Sequence, residues 1–319
     1  MQIFVTGGSG FVGGHTIERL VAAGHRVRAM ARSDRSAGIV EGFGAEAVRC
    51  DLETVAAEHL TGCDTVVHAA AHVAEWGPRA IFWRLNVEGT ERVLAAARGA
   101  GVRRFVHIGT EAMLFDGRDL VDVDEQHPPP ARHRFLYSET KAEAEARVLA
   151  ADGPDMRTIS LRPRLIWGPR DATVLTVVVE MARSGRFAWI GHGAVRTSTC
   201  HVHNLTHAIE LALTRGEGGR AYFVADEGVT TVRSFLEALA ATRSVELPGR
   251  SLPKGLARGL ASLVEGLWSL LRRRSTPPMT RFAVSMLSAE ITVDTGCAQR
   301  ELGYRPVIDR AAGLAALTP

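Results

Sequence analysis

Short apolar runs alternate along the first half of the chain with longer segments whose apolar positions recur at helical spacing. QIFVT (Gln2 to Thr6) is apolar and stops at a glycine cluster, which predicts a buried strand. FVGGHTIERLVAAG follows, with Val12, Ile17, Leu20 and Val21 on one side and Gly24 as a C-terminal stop, and predicts a helix. HRVRAMA, AEAVRCD and CDTVVHAAA read as three further strands, and a long helix is expected at about 79–99. VRRFVHIGT is another strand. The polar, proline-rich DLVDVDEQHPPPARHR reads as a loop, followed by a helix over 137–151 and the strand MRTISLRP. Strands alternating with helices imply parallel βαβ units, so the expected fold class is α/β with a doubly wound parallel sheet. Beyond about residue 165 the alternation weakens. A first domain over 1–165 and a smaller lobe over 166–319 are expected, with some late elements returning to the first domain.

Composition changes this picture little. The 319 residues are 46% hydrophobic and 23% charged, with a net charge of +3 and pI near 8.9. The arginines are scattered among acids, which argues against a nucleic-acid partner. Cys50, Cys63, Cys200 and Cys297 stand far apart in no metal-like spacing and read as free thiols of a reducing, cytoplasmic compartment. The N-terminus has no signal-peptide pattern, and no apolar run approaches a membrane-spanning length. His201, His203 and His207 fall at a strand-to-helix transition without an acid or Cys at useful spacing, so no metal is expected.

TGGSGFVGG carries glycines at 7, 10 and 13 between a predicted strand and a predicted helix. That context suits a dinucleotide. Gly7 permits a tight turn, Gly10 lets backbone N–H groups near Phe11 and Val12 approach a pyrophosphate, and Gly13 permits close helix–strand packing. At the end of the second strand AMARSDR places Ala31 and Arg32 where an NAD-selecting acid would stand. A guanidinium there favours NADP, with NAD still possible. Asp51 and Leu52 follow the third strand, where Asp51 meets the adenine or caps the next helix.

FLYSETKAEAEARVL contains the next clue. The chain writes nearly all its positive charges as Arg, yet Lys141 stands four residues after Tyr137, one of only three tyrosines. On a helix the two share a face. A neighbouring ammonium stabilises a phenolate, and a compact ammonium suits a ribose hydroxyl better than a planar guanidinium. Thr110 ends the strand FVHIGT, where a hydroxyl suits orientation of a substrate oxygen towards Tyr137.

TGGSGFVG, HAA (68–70), LNVEGT (85–90), Thr110, YSETK and LRPRLIWGP (161–169) together resemble the extended short-chain dehydrogenase/reductase superfamily. The segments AEWG (74–77), KAEAEARVLAA, LRPRLIWGPRD and the tail from PPMTRF to ELGYRP are most similar to its 3β-hydroxysteroid dehydrogenase-like branch, which includes 2-alkyl-3-oxoalkanoate reductases. The resemblance implies a Rossmann-type fold and a Thr110–Tyr137–Lys141 triad. It also implies a cofactor site reaching Ala69, Ala70 and Pro163, use of the 4-pro-S nicotinamide face, and a homodimer through the helices at 79–99 and 137–151. Sugar-nucleotide epimerases of the superfamily place an Arg just before a segment like CHVHN. Here Thr197 and Ser198 stand there, with Arg196 out of step. Dehydratases place Asp-Glu after the Thr, and here Glu111 and Ala112 follow.

The expected activity is therefore an NADP-dependent oxidoreductase that interconverts a secondary alcohol and a ketone on an apolar substrate, a 3β-hydroxysteroid or a 3-oxo acyl compound. A sugar-nucleotide epimerase with tightly held NAD and a non-catalytic NADP-binding sensor are the alternatives. Trp76, Glu111, Trp167 and Trp268 are candidates to contact substrate. In SLPKGLARGLASLVEGLWSLLRRR, Leu252, Leu256, Leu260, Leu263, Leu267 and Leu271 recur at helical spacing, with Lys254, Arg258, Glu265, Ser269 and Arg272 towards the other side. This predicts an amphipathic helix that packs over the second lobe, lines an apolar pocket, or touches a membrane surface.

Overall fold

The computed structural model describes residues 1–273 and 275–318. Its centre is a seven-stranded, all-parallel sheet in the order Arg220–Val224, Arg157–Pro163, Arg104–Ile108, Thr65–His68, Gln2–Thr6, Arg26–Met30, Glu46–Val48. The predicted doubly wound sheet is thus observed. The chain begins in the middle and runs first towards one edge, then towards the other. That reversal leaves a crevice at the carboxyl ends of Gln2–Thr6 and Thr65–His68, where such sheets bind ligands.

Alternation along the strands assigns the two layers. Ile3, Val5, Val67, Val106 and Ile159 face one side and meet Ile17 and Leu20 of the Phe11–Ala22 helix and Leu205 and Ile209 of the Val202–Ala212 helix. Phe4, Val66 and Phe105 face the other side and meet Val93, Leu94 and Val148. These last lie on the helix Gly89–Gly99 and the helix Leu136–Ala150. The predicted 79–99 helix forms as one rod with a π-helical turn at Trp83–Glu88. Such turns insert one residue and re-aim side chains, often at functional sites.

The sheet's edge strand Arg220–Val224 and the helix Val202–Ala212 come from beyond residue 165. A separate apolar cluster gathers Trp167, Phe187, Trp189 and Phe235. Two elements differ from the sequence pattern. Leu120–Val123, expected as loop, is a short strand parallel to Ile291–Val293. Its period of two is broken because Asp122 sits in the left-handed region (φ +47°), which hides the alternation. The pattern also does not signal the helix Asp34–Gly42, which buries only Ser36 and Val40 and is held by a Ser33 cap.

Candidate active site

The glycine loop occupies the crevice. Gly7 has φ +70°, and a Cβ there would stand 2.8 Å from the backbone nitrogen of Ala70. A Cβ at Gly13 would fall 2.1 Å from the Gly7 carbonyl oxygen, so the helix rests directly on the loop. Gly10 is the N-cap, and no side chain caps this helix. The first-turn amides, including those of Phe11 and Val12, therefore have no side-chain acceptor, and the positive helix end faces the crevice. These features fit a dinucleotide pyrophosphate. Arg32 is exposed just past the second strand, near enough to Asp51 to favour its ionisation. Asp51 itself is committed to a turn. Its Oδ1 accepts from the amides of Glu53 (2.8 Å) and Thr54 (2.9 Å), which caps a turn and not the next helix. Burial opposes ionisation of Asp51, but these bonds outweigh it and hold the carboxyl below its ordinary range. Leu52 packs against Gly89.

A chain of hydrogen bonds holds the opposite wall. Strand register aligns Thr6, His68, His107 and Ser160 in one row. Thr90 donates its hydroxyl proton to the Asn86 carbonyl (2.6 Å), so His68 Nε2–H must donate to Thr90 Oγ1 (3.0 Å). His68 Nδ1 then accepts from Thr6 (2.7 Å), whose oxygen accepts from the Ala70 amide (3.1 Å). This relay fixes Ala69–Ala70 against Gly7. Within the π-helical turn Asn86 accepts from the His72 amide (2.7 Å) and donates to Thr140 (3.0 Å), which ties the loop after Thr65–His68 to the Leu136–Ala150 helix.

That helix brings Tyr137 and Lys141 to the strand ends. Lys141 is 3% exposed and donates to the Ile108 carbonyl (2.8 Å), with His107 Nε2 at 3.4 Å. An ammonium has three donors, so one is left for a ligand. Burial lowers the Lys141 pKa to about 8, against the opposing pull of the Glu145 carboxylate. His68 is pushed down to about 3 and His107 well below its ordinary value, by burial first and then by the Lys141 charge, so both imidazoles are neutral. Glu145 is itself clamped: it accepts from Ser160 (2.6 Å) and forks with Arg162 (2.6 and 3.0 Å), whose guanidinium lies over Phe223.

The Tyr137 ring packs edge-on to Phe282 at 5.8 Å, and Thr110 stands near enough to its phenol to favour the phenolate. Burial, then the Glu111 charge, raises its pKa well above the ordinary phenol value, against the pull of Thr110. The expected lowering by Lys141 is not what this arrangement produces, because the ammonium is turned to Ile108. Thr110 donates to Glu111 (2.8 Å), and Glu111 pairs with Arg164 (2.9 Å), both almost fully buried. Pro163 ends the strand Arg157–Pro163. Two residues on, Leu165 is held at φ +44°, a strained conformation for a bulky side chain.

The expected substrate contacts divide. Glu111 lies directly beside Thr110. Trp76 is half-buried in the loop after the Thr65–His68 strand, whose Glu75 accepts from Thr280 (2.5 Å). Trp167 is corrected: it is fully enclosed, packs on His201 and Phe235, and donates its indole N–H to Asp226 (2.7 Å), so no face is left for a ligand. Trp268 is half-buried under the Arg273 guanidinium. The helix Lys254–Leu270 also differs from expectation. It buries Ala257, Ala261 and Glu265, and leaves most of its leucines exposed. Sequence reading missed the His68–His107–Glu145 row. Its only linear signal is a polar residue closing an apolar run, in VVH and FVH.

Fold and glycine loop together define a dinucleotide-binding protein of the short-chain dehydrogenase/reductase type. Residues 4–254 match the 3-beta hydroxysteroid dehydrogenase/isomerase family, and the chain belongs to it. It is 43% identical over 319 residues to the 4-hydroxy-2-methyl-3-oxo-4-farnesyl-3,4-dihydroquinoline-1-oxide ketoreductase of Stigmatella aurantiaca, covering 99% of this chain and 96% of the relative. It is 34% identical over 329 residues to the 2-alkyl-3-oxoalkanoate reductase of Stenotrophomonas maltophilia, covering 98% and 97%. The crystal structure of gox2253 superposes with a TM-score of 0.80 at 27% identity, covering 99% of this chain and 96% of that one. This protein is therefore a nicotinamide-dependent dehydrogenase/reductase of hydroxyl and keto groups.

Proposed function

We propose that the protein is an NADP-dependent ketoreductase for an apolar substrate of the 3-oxo acyl or 3β-hydroxysteroid type. The observation that carries this reading is the meeting of Thr110, Tyr137 and Lys141 at the strand ends beside the glycine loop, under the aromatic cover of Phe282 and Phe135. Gly7, Gly10, Phe11, Val12, Gly13, Ala69, Ala70 and Pro163 would hold the dinucleotide, and Arg32 its 2′-phosphate. A nicotinamide held there would supply the hydride that the carbonyl carbon receives. Tyr137, kept protonated by its surroundings, gives its proton to the carbonyl oxygen. Its raised pKa keeps the proton on the phenol at neutral pH, the form from which reduction starts. The remaining Lys141 donor holds a ribose hydroxyl. Thr110 turns its hydroxyl from Glu111 to the substrate oxygen by rotation about one bond. The names of the two relatives support a keto group on a greasy scaffold. The protein would work as a homodimer through the helices at 79–99 and 136–150.

The test is turnover of NADPH and NADH with steroids, 3-oxo acyl thioesters, aromatic ketones and sugar nucleotides. The reading expects NADPH oxidation at 340 nm with an apolar ketone. Reaction with sugar nucleotides alone, without net absorbance change, would overturn it. Arg196 is engaged with Glu290 at 2.6 Å, away from such a role.

A further inference from the structure

The helix Lys254–Leu270 presents an unusual surface. Leu256, Leu260, Leu263, Leu267 and Leu270 recur at helical spacing and are 53%, 38%, 72%, 49% and 80% exposed, with Leu271 at 52% just beyond. The opposite stripe of Ala257, Ala261 and Glu265 is the one buried, against the helix Arg281–Ser288. A row of large apolar side chains in water is a standing cost, and its usual meaning is a contact surface.

Charge identifies the contact. Between residues 250 and 281 the sole acid is Glu265, and it is buried and paired with Arg281. Against it stand Arg250, Lys254, Arg258, Arg272 and Arg273. Beside the helix lies an open cleft of about 500 Å³ lined by Arg134, Arg258 and Arg281 with Ser262, Ser285 and Phe135. Guanidinium groups so placed suit phosphate. Two copies packed leucine face to leucine face would bring basic rims together and repel. At 17 residues this helix is too short to span a bilayer, and no described helix is long and apolar enough to cross one.

We propose that this helix lies in the surface of an anionic phospholipid bilayer, its leucines among the acyl chains and the arginine cleft against headgroup phosphates. The surface is continuous with the site. The Arg281–Ser288 helix packs beneath the leucine helix, and its Phe282 touches both Tyr137 and Phe135. Docking would set the mouth of the site against the bilayer. The inference rests on the helix and the cleft, and stands whichever substrate is turned over.

The test uses the full chain in flotation with phosphatidylcholine vesicles and with phosphatidylcholine–phosphatidylglycerol vesicles. The wild type should float with the anionic vesicles and be released by salt. L263E/L267E should lower the partition coefficient about 100-fold, from the loss of two inserted leucines. R258E/R272E should lower it at least about tenfold, since each change reverses the sign of a charge held near the headgroups. Melting curves confirm that the variants fold, and sedimentation velocity reports oligomeric state. No flotation, equal flotation of L263E/L267E, equal binding to neutral vesicles, or a dimer dissolved by L263E/L267E would each overturn the proposal. The last would assign the face to a second copy.

Discussion

Lys141 offers the sharpest prediction, because the chain has only one other lysine, Lys254. Burial takes its pKa from 10.5 to about 8. That drop corresponds to about 3 kcal/mol of cost for holding the ammonium in place at neutral pH. The folded pKa is the lower one, so the cost is complete below pH 8 and is relieved as pH rises from 8 towards 10.5. Replacement by Met removes the charge but leaves the Ile108 carbonyl without its donor, worth roughly 1 kcal/mol. K141M should therefore be about 2 kcal/mol more stable than wild type at pH 7, with the difference shrinking above pH 8, while reductase activity is lost. A chain labelled with 13C at the lysine ε carbon shows two signals, and K141R identifies the Lys141 signal by its absence. That signal should titrate near 8, and kcat/KM for NADPH should fall along the same curve. A Lys141 midpoint above 10, or a K141M variant less stable than wild type at pH 7, would refute the reasoning.

Three further outcomes follow from the same contacts. Asp226 accepts from Trp167, Thr199, the His201 amide and Asn204, all within 2.8 Å and buried. D226A should cost at least about 4 kcal/mol, read as a drop in urea midpoint, since each orphaned donor carries a penalty of about 1–3 kcal/mol. A loss under 1 kcal/mol would mean that water replaces the carboxylate. R32E should shift the NADPH/NADH preference in kcat/KM by at least about tenfold towards NADH, by repulsion of a 2′-phosphate. An unchanged ratio would remove Arg32 from that role. E145Q leaves the Arg162 charge buried and unpaired, which costs about 3–5 kcal/mol, and moves the Lys141 midpoint below 8. A midpoint that rises instead would show that Glu145 does not support the ammonium.

Much of the framework was legible because it is local. A strand, a glycine loop and a helix with its first apolar face all lie within residues 2–22, and Tyr137 and Lys141 sit one turn apart. What was hidden depends on register. Thr6, His68, His107 and Ser160 become neighbours only when four strands align, and Glu145 joins them only when its helix docks. Thr110 and Arg164 meet across Glu111 for the same reason. The Lys254–Leu270 helix shows a different limit. Its period revealed an apolar face correctly, but period cannot say which face finds a neighbour. Close packing against Arg281–Ser288 selected the alanines, with Glu265 drawn in by Arg281, and left the leucines outside. Trp167 was misplaced because an indole reads the same in a pocket as in a core, until Asp226 is seen to take its N–H.

The most direct measurement is the rate of hydride transfer in a single turnover of Y137F with saturating NADPH and an apolar ketone. Phenylalanine preserves the ring contact with Phe282 and removes only the proton donor. The rate should fall by about 10²–10⁴-fold, the usual contribution of a general acid, while NADPH affinity stays within about twofold. A Y137F enzyme that transfers hydride at the wild-type rate would contradict the account.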